Sequence, residues 1–188
     1  MGPNRRRNLK YGKAMSSLAS LRDLLIDELN ELYSAEQQLV EALPQMSMAA
    51  TNDDLKGSFD SHLEETRGHV ARLEKAFAKL GVPAIAKSGK AMQGLVAQSA
   101  DGVDLNAPES LRDARLIGAA QRIEHYEIAA YGTARAFANT IGEKGVAELL
   151  QETLEEEAAT DTKLTAVAER VNQDANNIVE AAEADSPH

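Results

Sequence analysis

The sequence has no cysteine, no tryptophan and only five prolines, and its aromatic side chains are limited to three phenylalanines and four tyrosines. Without cysteine there are no disulfides, zinc thiolates, iron–sulfur clusters or thiol nucleophiles, so any bound metal must be held by histidine and carboxylate. So few aromatics require a core built from leucine and alanine, which suits close helix packing. No window approaches the roughly eighteen consecutive apolar residues of a membrane-spanning helix. Nor is there an apolar run of signal-peptide type, since the first hydrophobic run begins at Leu18 and already falls in a helical pattern. A cytoplasmic protein with no membrane partner is expected. Glycine-rich phosphate loops and Ser/His/Asp arrangements are also missing.

What is present is a chain of 188 residues, 43% apolar and 27% charged, the composition of one globular domain. Its net charge of −10 is uneven, because Arg5, Arg6, Arg7, Lys10 and Lys13 open the chain without a compensating acid. Residues 1–16 read as a basic, flexible arm, 17–172 as the folded body and 173–188 as an acidic tail without clear pattern. A body more acidic than the whole chain should repel nucleic acid, whatever the arm does.

Hydrophobic spacing predicts helices throughout. Leu18, Leu21, Leu25, Leu29, Leu32, Leu39 and Leu43 form one stripe, with a kink or break expected at Pro44 and resumption to about Ala50. Thr51-Asn52-Asp53-Asp54 is a turn and cap signal. Phe59, Leu63, Thr66, Val70, Leu73, Phe77 and Leu80 then mark a second helix, which stops at Gly81-Val82-Pro83. A long connection follows, with a short helical candidate from Lys90 to Ser99. A third helix opens near Pro108 and carries Ile117, Ala120, Ile128, Tyr131 and Ala134 as far as the Gly142–Gly145 turn. The fourth runs through Leu150, Leu154, Leu164, Ala168 and Val171. Connections that run short, long, short describe an all-α four-helix bundle of two antiparallel hairpins, with a crossover carrying a short extra helix.

Each stripe is interrupted by polar residues. Glu36 fills the gap in the first, Glu124 and Glu127 sit on the third, and Glu157 and Asp161 sit on the fourth. Thr66 breaks the second, flanked on neighbouring stripes by His62, Glu65 and His69. Glu36 and Thr66 are equally far from the turn at Thr51, and Glu124 and Glu157 are similarly placed about Gly142. All four breaks therefore meet at mid-bundle. Uncompensated buried carboxylates cost several kcal/mol each. With no Lys or Arg on the inward stripes at this level, two divalent cations are the economical solution. Carboxylate and imidazole suit iron or manganese, with zinc as a further candidate.

The stretches at these positions, YSAEQQL at 33–39, HLEET at 62–66, AAQRIEHYEIAAYGT at 119–133 and TLEEEAATDTKL at 153–164, resemble the YciF-like branch of the ferritin-like superfamily. This is a bacterial group associated with stress responses, and the resemblance spans about residues 20–170. It implies a ferritin-like bundle, usually a dimer, with a di-iron or related centre between the helices. The sequence departs from the general ferritin-like pattern, in which the second and fourth helices each bring Glu-x-x-His. Here the second offers His62-x-x-Glu65 or Glu65-x-x-x-His69, and the fourth offers Glu157-x-x-x-Asp161 with no histidine. The additional acid Glu127 is similar to the extra third-helix carboxylate of rubrerythrin-type sites.

Glu36, His62, Glu65, Glu124, Glu127, Glu157 and Asp161 are the expected ligands of two iron or manganese ions, with His69 as an additional candidate. Around them Tyr33, Thr66, Gln121, His125 and Tyr131 are expected to support the ligands by hydrogen bonding, with His125 turned about 100° from Glu124 toward the surface. Two readings of function stay open. One is stress chemistry on peroxide or dioxygen at a dinuclear centre, in a homodimer. The other is a non-enzymatic dimerisation or protective module whose metal is structural or vestigial.

Overall fold

The computed structural model describes residues 18–184, and their side chains through residue 177. The basic arm and the last residues of the tail lie outside this range. Five helices follow in order, α1 (Leu21–Ala49), α2 (Asp53–Leu80), α3 (Lys90–Val103), α4 (Glu109–Thr140) and α5 (Lys144–Ala184), with no strand among the described residues.

Local chemistry sets the boundaries. Ser20 caps α1, accepting from the Asp23 amide (3.1 Å) while its hydroxyl donates to Asp23 Oδ2 (2.8 Å). Asn52 Oδ1 caps α2 through the Leu55 amide (3.1 Å). Gly81 and Gly142 close α2 and α4 with φ of 67° and 84°, a left-handed conformation that side-chain-bearing residues adopt only with strain. The α1–α2 turn is held by a buried acid from another helix, Asp113 of α4. It accepts from the Thr51 amide (3.0 Å), the Thr51 hydroxyl (2.7 Å) and the Asn52 amide (2.8 Å).

Three features differ from the sequence expectation. Helix α1 runs unbroken through Pro44, because the ring removes only one backbone bond while Leu43 and Met46 on either side are packed in the core. Helix α3 continues past Ser99 to Val103, since Gly102 fits tightly against Leu116: a Cβ there would stand 3.2 Å from Leu116 Cδ2. Helix α5 continues to Ala184, with Val171 and Ala175 still buried where the apolar pattern thins.

Helix α1 packs on α2 and α4 on α5, and the two hairpins meet through α2–α5 and α1–α4, with α3 lying over α1 and α4. Residues 81–89 are pinned to α1 by the Lys87 amide on the Asn30 carbonyl (3.0 Å) and by Lys87 Nζ on Asp27 (2.7 Å) and Glu31 (2.9 Å). The apolar interior is divided in two. One cluster gathers Leu39, Leu43, Met46, Phe59, Leu116, Ile123 and Leu164, the other Leu25, Leu29, Leu32, Leu73, Phe77, Tyr131 and Leu150. Between them lies a polar layer.

Candidate metal centre

The layer contains Glu36 from α1, His62, Thr66 and His69 from α2, Glu124 and Glu127 from α4, and Thr153, Glu157 and Thr160 from α5, all buried. These residues share a level because on each helix they continue the apolar stripe that faces the bundle axis. Two groups can each gather donors around a cation: His62, Glu124, Glu127 and Glu157, and Glu36, His69 and Glu157. Within each group one donor atom per residue lies within 4.8 Å of the others. Glu157 belongs to both. Its Oε1 lies 3.0 Å from His69 Nδ1 and its Oε2 lies 3.7 Å from His62 Nε2, so the one carboxylate faces both halves. His62 Nε2 also lies 3.3 Å from Glu124 Oε1, and His69 Nδ1 lies 3.4 Å from Glu36 Oε1.

Much of this donor set is unsatisfied. Both oxygens of Glu127 and of Glu157, one each of Glu36 and Glu124, His62 Nε2 and His69 Nδ1 are buried without a hydrogen-bond partner. Arg135 Nε is the only other such side-chain atom among the described residues. Native interiors hold few such atoms, and here they converge on one spot. A pair of divalent cations fits this set, since it would occupy the orphaned lone pairs and offset the carboxylate charge.

Titration follows the same geometry. Burial pushes Glu124 and Glu127 well above the usual carboxylate range, and neighbouring acids add to it. Burial also raises Glu36, against the opposing pull of the nearby His69. Burial opposes ionisation of Glu157 too, but His69 close beside it and the positive charge of both histidines outweigh it and hold this acid below its ordinary value. Burial disfavours the charged form of His69, yet the Glu157 and Glu36 carboxylates facing it push it up to about 11. Without cations, protons therefore neutralise much of the layer.

The structure sorts the expected ligands. Glu36, His62, Glu124, Glu127 and Glu157 come together, and His69 joins them from the inner stripe of α2. Glu65 and Asp161 fall outside both groups, at the half-exposed rim. Glu65 accepts from Thr160 (3.2 Å), with His62 Nδ1 at 3.4 Å and Lys163 at 3.6 Å, and the His62 bond foremost holds its carboxyl down at about 2. Asp161 accepts from Gln121 (3.2 Å) and lies 3.3 Å from His125, whose side chain is 70% exposed. Gln121 and His125 thus serve Asp161 rather than Glu124.

The remaining supports divide similarly. Tyr131 is fully buried and its hydroxyl donates to Glu36 Oε1. Tyr33 instead points away, donating to Glu74 Oε1 (2.9 Å) and meeting the Phe77 ring edge-on. Thr66 is buried, but its hydroxyl donates to the His62 carbonyl (2.8 Å) on its own helix. Sequence reasoning missed Thr160, and it missed Glu156 and Arg72. Glu156 lies 2.9 Å from His69 Nε2 and is bound by Arg72. The signal available was helical spacing, since Glu156 and Thr160 are one turn apart on the side of α5 nearest α2.

Comparison with known proteins places this geometry in a family. A model described as a domain of unknown function, DUF892, matches residues 20–176. Protein YciF of Escherichia coli strain K12 is 40% identical over 163 residues, which is 86% of this chain and 98% of that protein. The crystal structure of the E. coli stress protein YciF matches with a TM-score of 0.81 at 39% identity, covering 83% of this chain and 99% of that one. YcfI of Rhodopseudomonas palustris gives 0.77 at 38% identity, covering 80% and 96%. A ferritin-like, diiron-carboxylate protein of Bacillus anthracis gives 0.62 at 16% identity over 80% of this chain and 99% of that one, a likeness of fold alone. The resemblance first carried by four short helical stretches extends over the whole ferritin-like bundle, and the chain belongs to the DUF892 family, together with YciF.

Proposed function

We propose that this protein binds two iron or manganese ions at mid-bundle and uses them in stress chemistry on peroxide or dioxygen. The observation that carries the reading is a buried layer of four carboxylates and two histidines whose unpartnered donors fall into two groups sharing Glu157. Oxygen-rich donors with one imidazole per group suit hard or borderline first-row cations and contain no soft thiolate. Bound iron or manganese would supply one-electron redox chemistry toward a small oxidant. The chain's own residues do the rest. Glu157 faces both cation positions, Glu124 and Glu127 close one side and Glu36 the other, and Tyr131 fixes Glu36 by its hydrogen bond. The two apolar clusters exclude water from above and below. The E. coli relative is known as a stress protein and the Bacillus neighbour as a diiron-carboxylate protein, and both support the same direction.

A homodimer and a cytoplasmic location belong to this proposal. The competing reading, a helical protective module with an inert metal, is separated by kinetics. Protein loaded with iron or manganese should consume peroxide or dioxygen faster than the free ions do, and Glu157→Ala should abolish that excess. Loaded protein that holds its metal but consumes neither oxidant would favour the inert module.

A further inference from the structure

The two histidines turn opposite ring nitrogens inward. His62 directs Nε2 at Glu124 and Glu157, whereas His69 directs Nδ1 at Glu157 Oε1 (3.0 Å) and Glu36 Oε1 (3.4 Å). A neutral imidazole has one N–H and one lone pair, so the outward nitrogen must carry the proton if the inward one is to bind a cation. For His69 the outward atom is Nε2, 2.9 Å from Glu156 Oε2. Glu156 is itself gripped at two points, by Arg72 Nη1 on Oε2 (2.8 Å) and Arg72 Nη2 on Oε1 (3.1 Å). Arg72 is fixed in turn by Thr153 Oγ1 (2.7 Å) and Glu152 Oε1 (2.9 Å). The outward atom of His62 has only longer contacts, to Glu65 and Thr160, both at 3.4 Å. One histidine is therefore oriented by a clamped carboxylate and the other is held loosely.

We propose that Glu156, clamped by Arg72, is a positioning residue that keeps the proton of His69 on Nε2 and so presents Nδ1 as the nitrogen ligand of the Glu36–Glu157 half of the centre. The inference rests on the metal-binding reading above. Glu156 neighbours Glu157 in sequence but belongs to neither cation group. It acts through His69 alone, as an outer carboxylate that holds a ligating ring and raises its basicity. Loss of such a partner typically weakens metal affinity ten- to a hundredfold.

The test uses the full chain and zinc, which is redox-silent and leaves ring spectra readable. Zinc affinity is measured by competition with a chromogenic chelator, and histidine tautomers by long-range ¹H–¹⁵N correlation. Wild type should take up two equivalents, with His69 coordinated through Nδ1 and protonated on Nε2. Glu156→Ala should weaken one equivalent about 10–100-fold, leave the other unchanged and erase the single His69 tautomer. Glu156→Gln retains an acceptor, so the tautomer should survive. Glu155→Ala, whose side chain bonds to Gln151 rather than to Arg72 or His69, should change neither equivalent. If Glu156→Ala does not fold, Arg72→Gln addresses the same contact by releasing the clamp, and should weaken the same equivalent by a smaller factor. Wild-type affinities and an unchanged His69 spectrum in Glu156→Ala or, where that variant does not fold, in Arg72→Gln would overturn the proposal while leaving the metal site standing. Failure of the wild type to take up zinc would remove both the proposal and the reading beneath it.

Discussion

Glu127 is fully buried and neither of its carboxylate oxygens has a partner. A residue of this kind weakens the metal-free fold, and its presence is accounted for by what it can hold. Replacing it with an apolar side chain of similar length should therefore separate stability from binding. Glu127→Met is expected to stabilise the metal-free protein by about 1–2 kcal/mol and to weaken metal uptake at the His62 half, measured by chemical denaturation and by metal titration. Tyr131 shows the opposite logic, since its buried hydroxyl is satisfied by Glu36 and its pKa is raised well above the ordinary value, by burial first and by the Glu36 charge next. Tyr131→Phe should leave Glu36 with one bond fewer and cost about 1 kcal/mol.

At the scale of the helix, the sequence reading and the structure part by a single residue. Along α5 the shared core positions are Leu150, Glu157, Leu164 and Val171, and the choice lies between the residues three and four places after each. Both flank the same line on a 3.6-residue helix. The more apolar Leu154 draws the sequence stripe onto Leu154, Asp161 and Ala168, whereas the bundle buries Thr153, Thr160 and Val167. The same ambiguity on α2 draws Leu63 and Val70 onto the stripe, whereas the inward residues are His62 and His69. In both cases the burial of polar side chains in the layer overrides local hydrophobicity, which a single helix pattern does not reveal. By contrast Glu36, Glu124, Glu127 and Glu157 are legible because they fall in step with buried apolar residues of their own helices: Leu32 and Leu39 about Glu36, Ala120 and Tyr131 about Glu124 and Glu127, and Leu150 and Leu164 seven residues either side of Glu157. Leu164→Ala should thus cost about 2–5 kcal/mol, but Leu154→Ala only about 1 kcal/mol; equal losses in denaturant melts would contradict the assigned face. Asp113 is the corresponding element-scale device at the α1–α2 turn. Asp113→Ala strands two backbone amides and a hydroxyl and should cost about 2–4 kcal/mol by the same measurement.

The whole molecule couples this layer to pH. Glu36, Glu124 and Glu127 have folded-state values raised above the unfolded one, so their contribution is present when they are protonated and is lost as pH rises above about 4.5. His69, raised to about 11, contributes fully below its unfolded value of 6.5 and loses that contribution as pH climbs from there toward 11. Glu65 and Glu157, both lowered, work in the other direction, but only below about pH 4.5. Between pH 5 and 8 the raised groups decide the sign. The melting temperature of the metal-free chain should fall across this window. Metal binding displaces those protons, so the loaded chain should gain affinity and stability over the same range. Parallel thermal melts of the two forms check both signs.

Diffraction from crystals of the full chain loaded with iron or with manganese, with anomalous differences collected at each metal edge, bears most directly on the central claim. Two ions should be found on either side of Glu157, one with His62, Glu124 and Glu127 and the other with His69 and Glu36. Less than one ion per chain in that layer, or ions confined to rim acids such as Glu65 and Asp161, would contradict it.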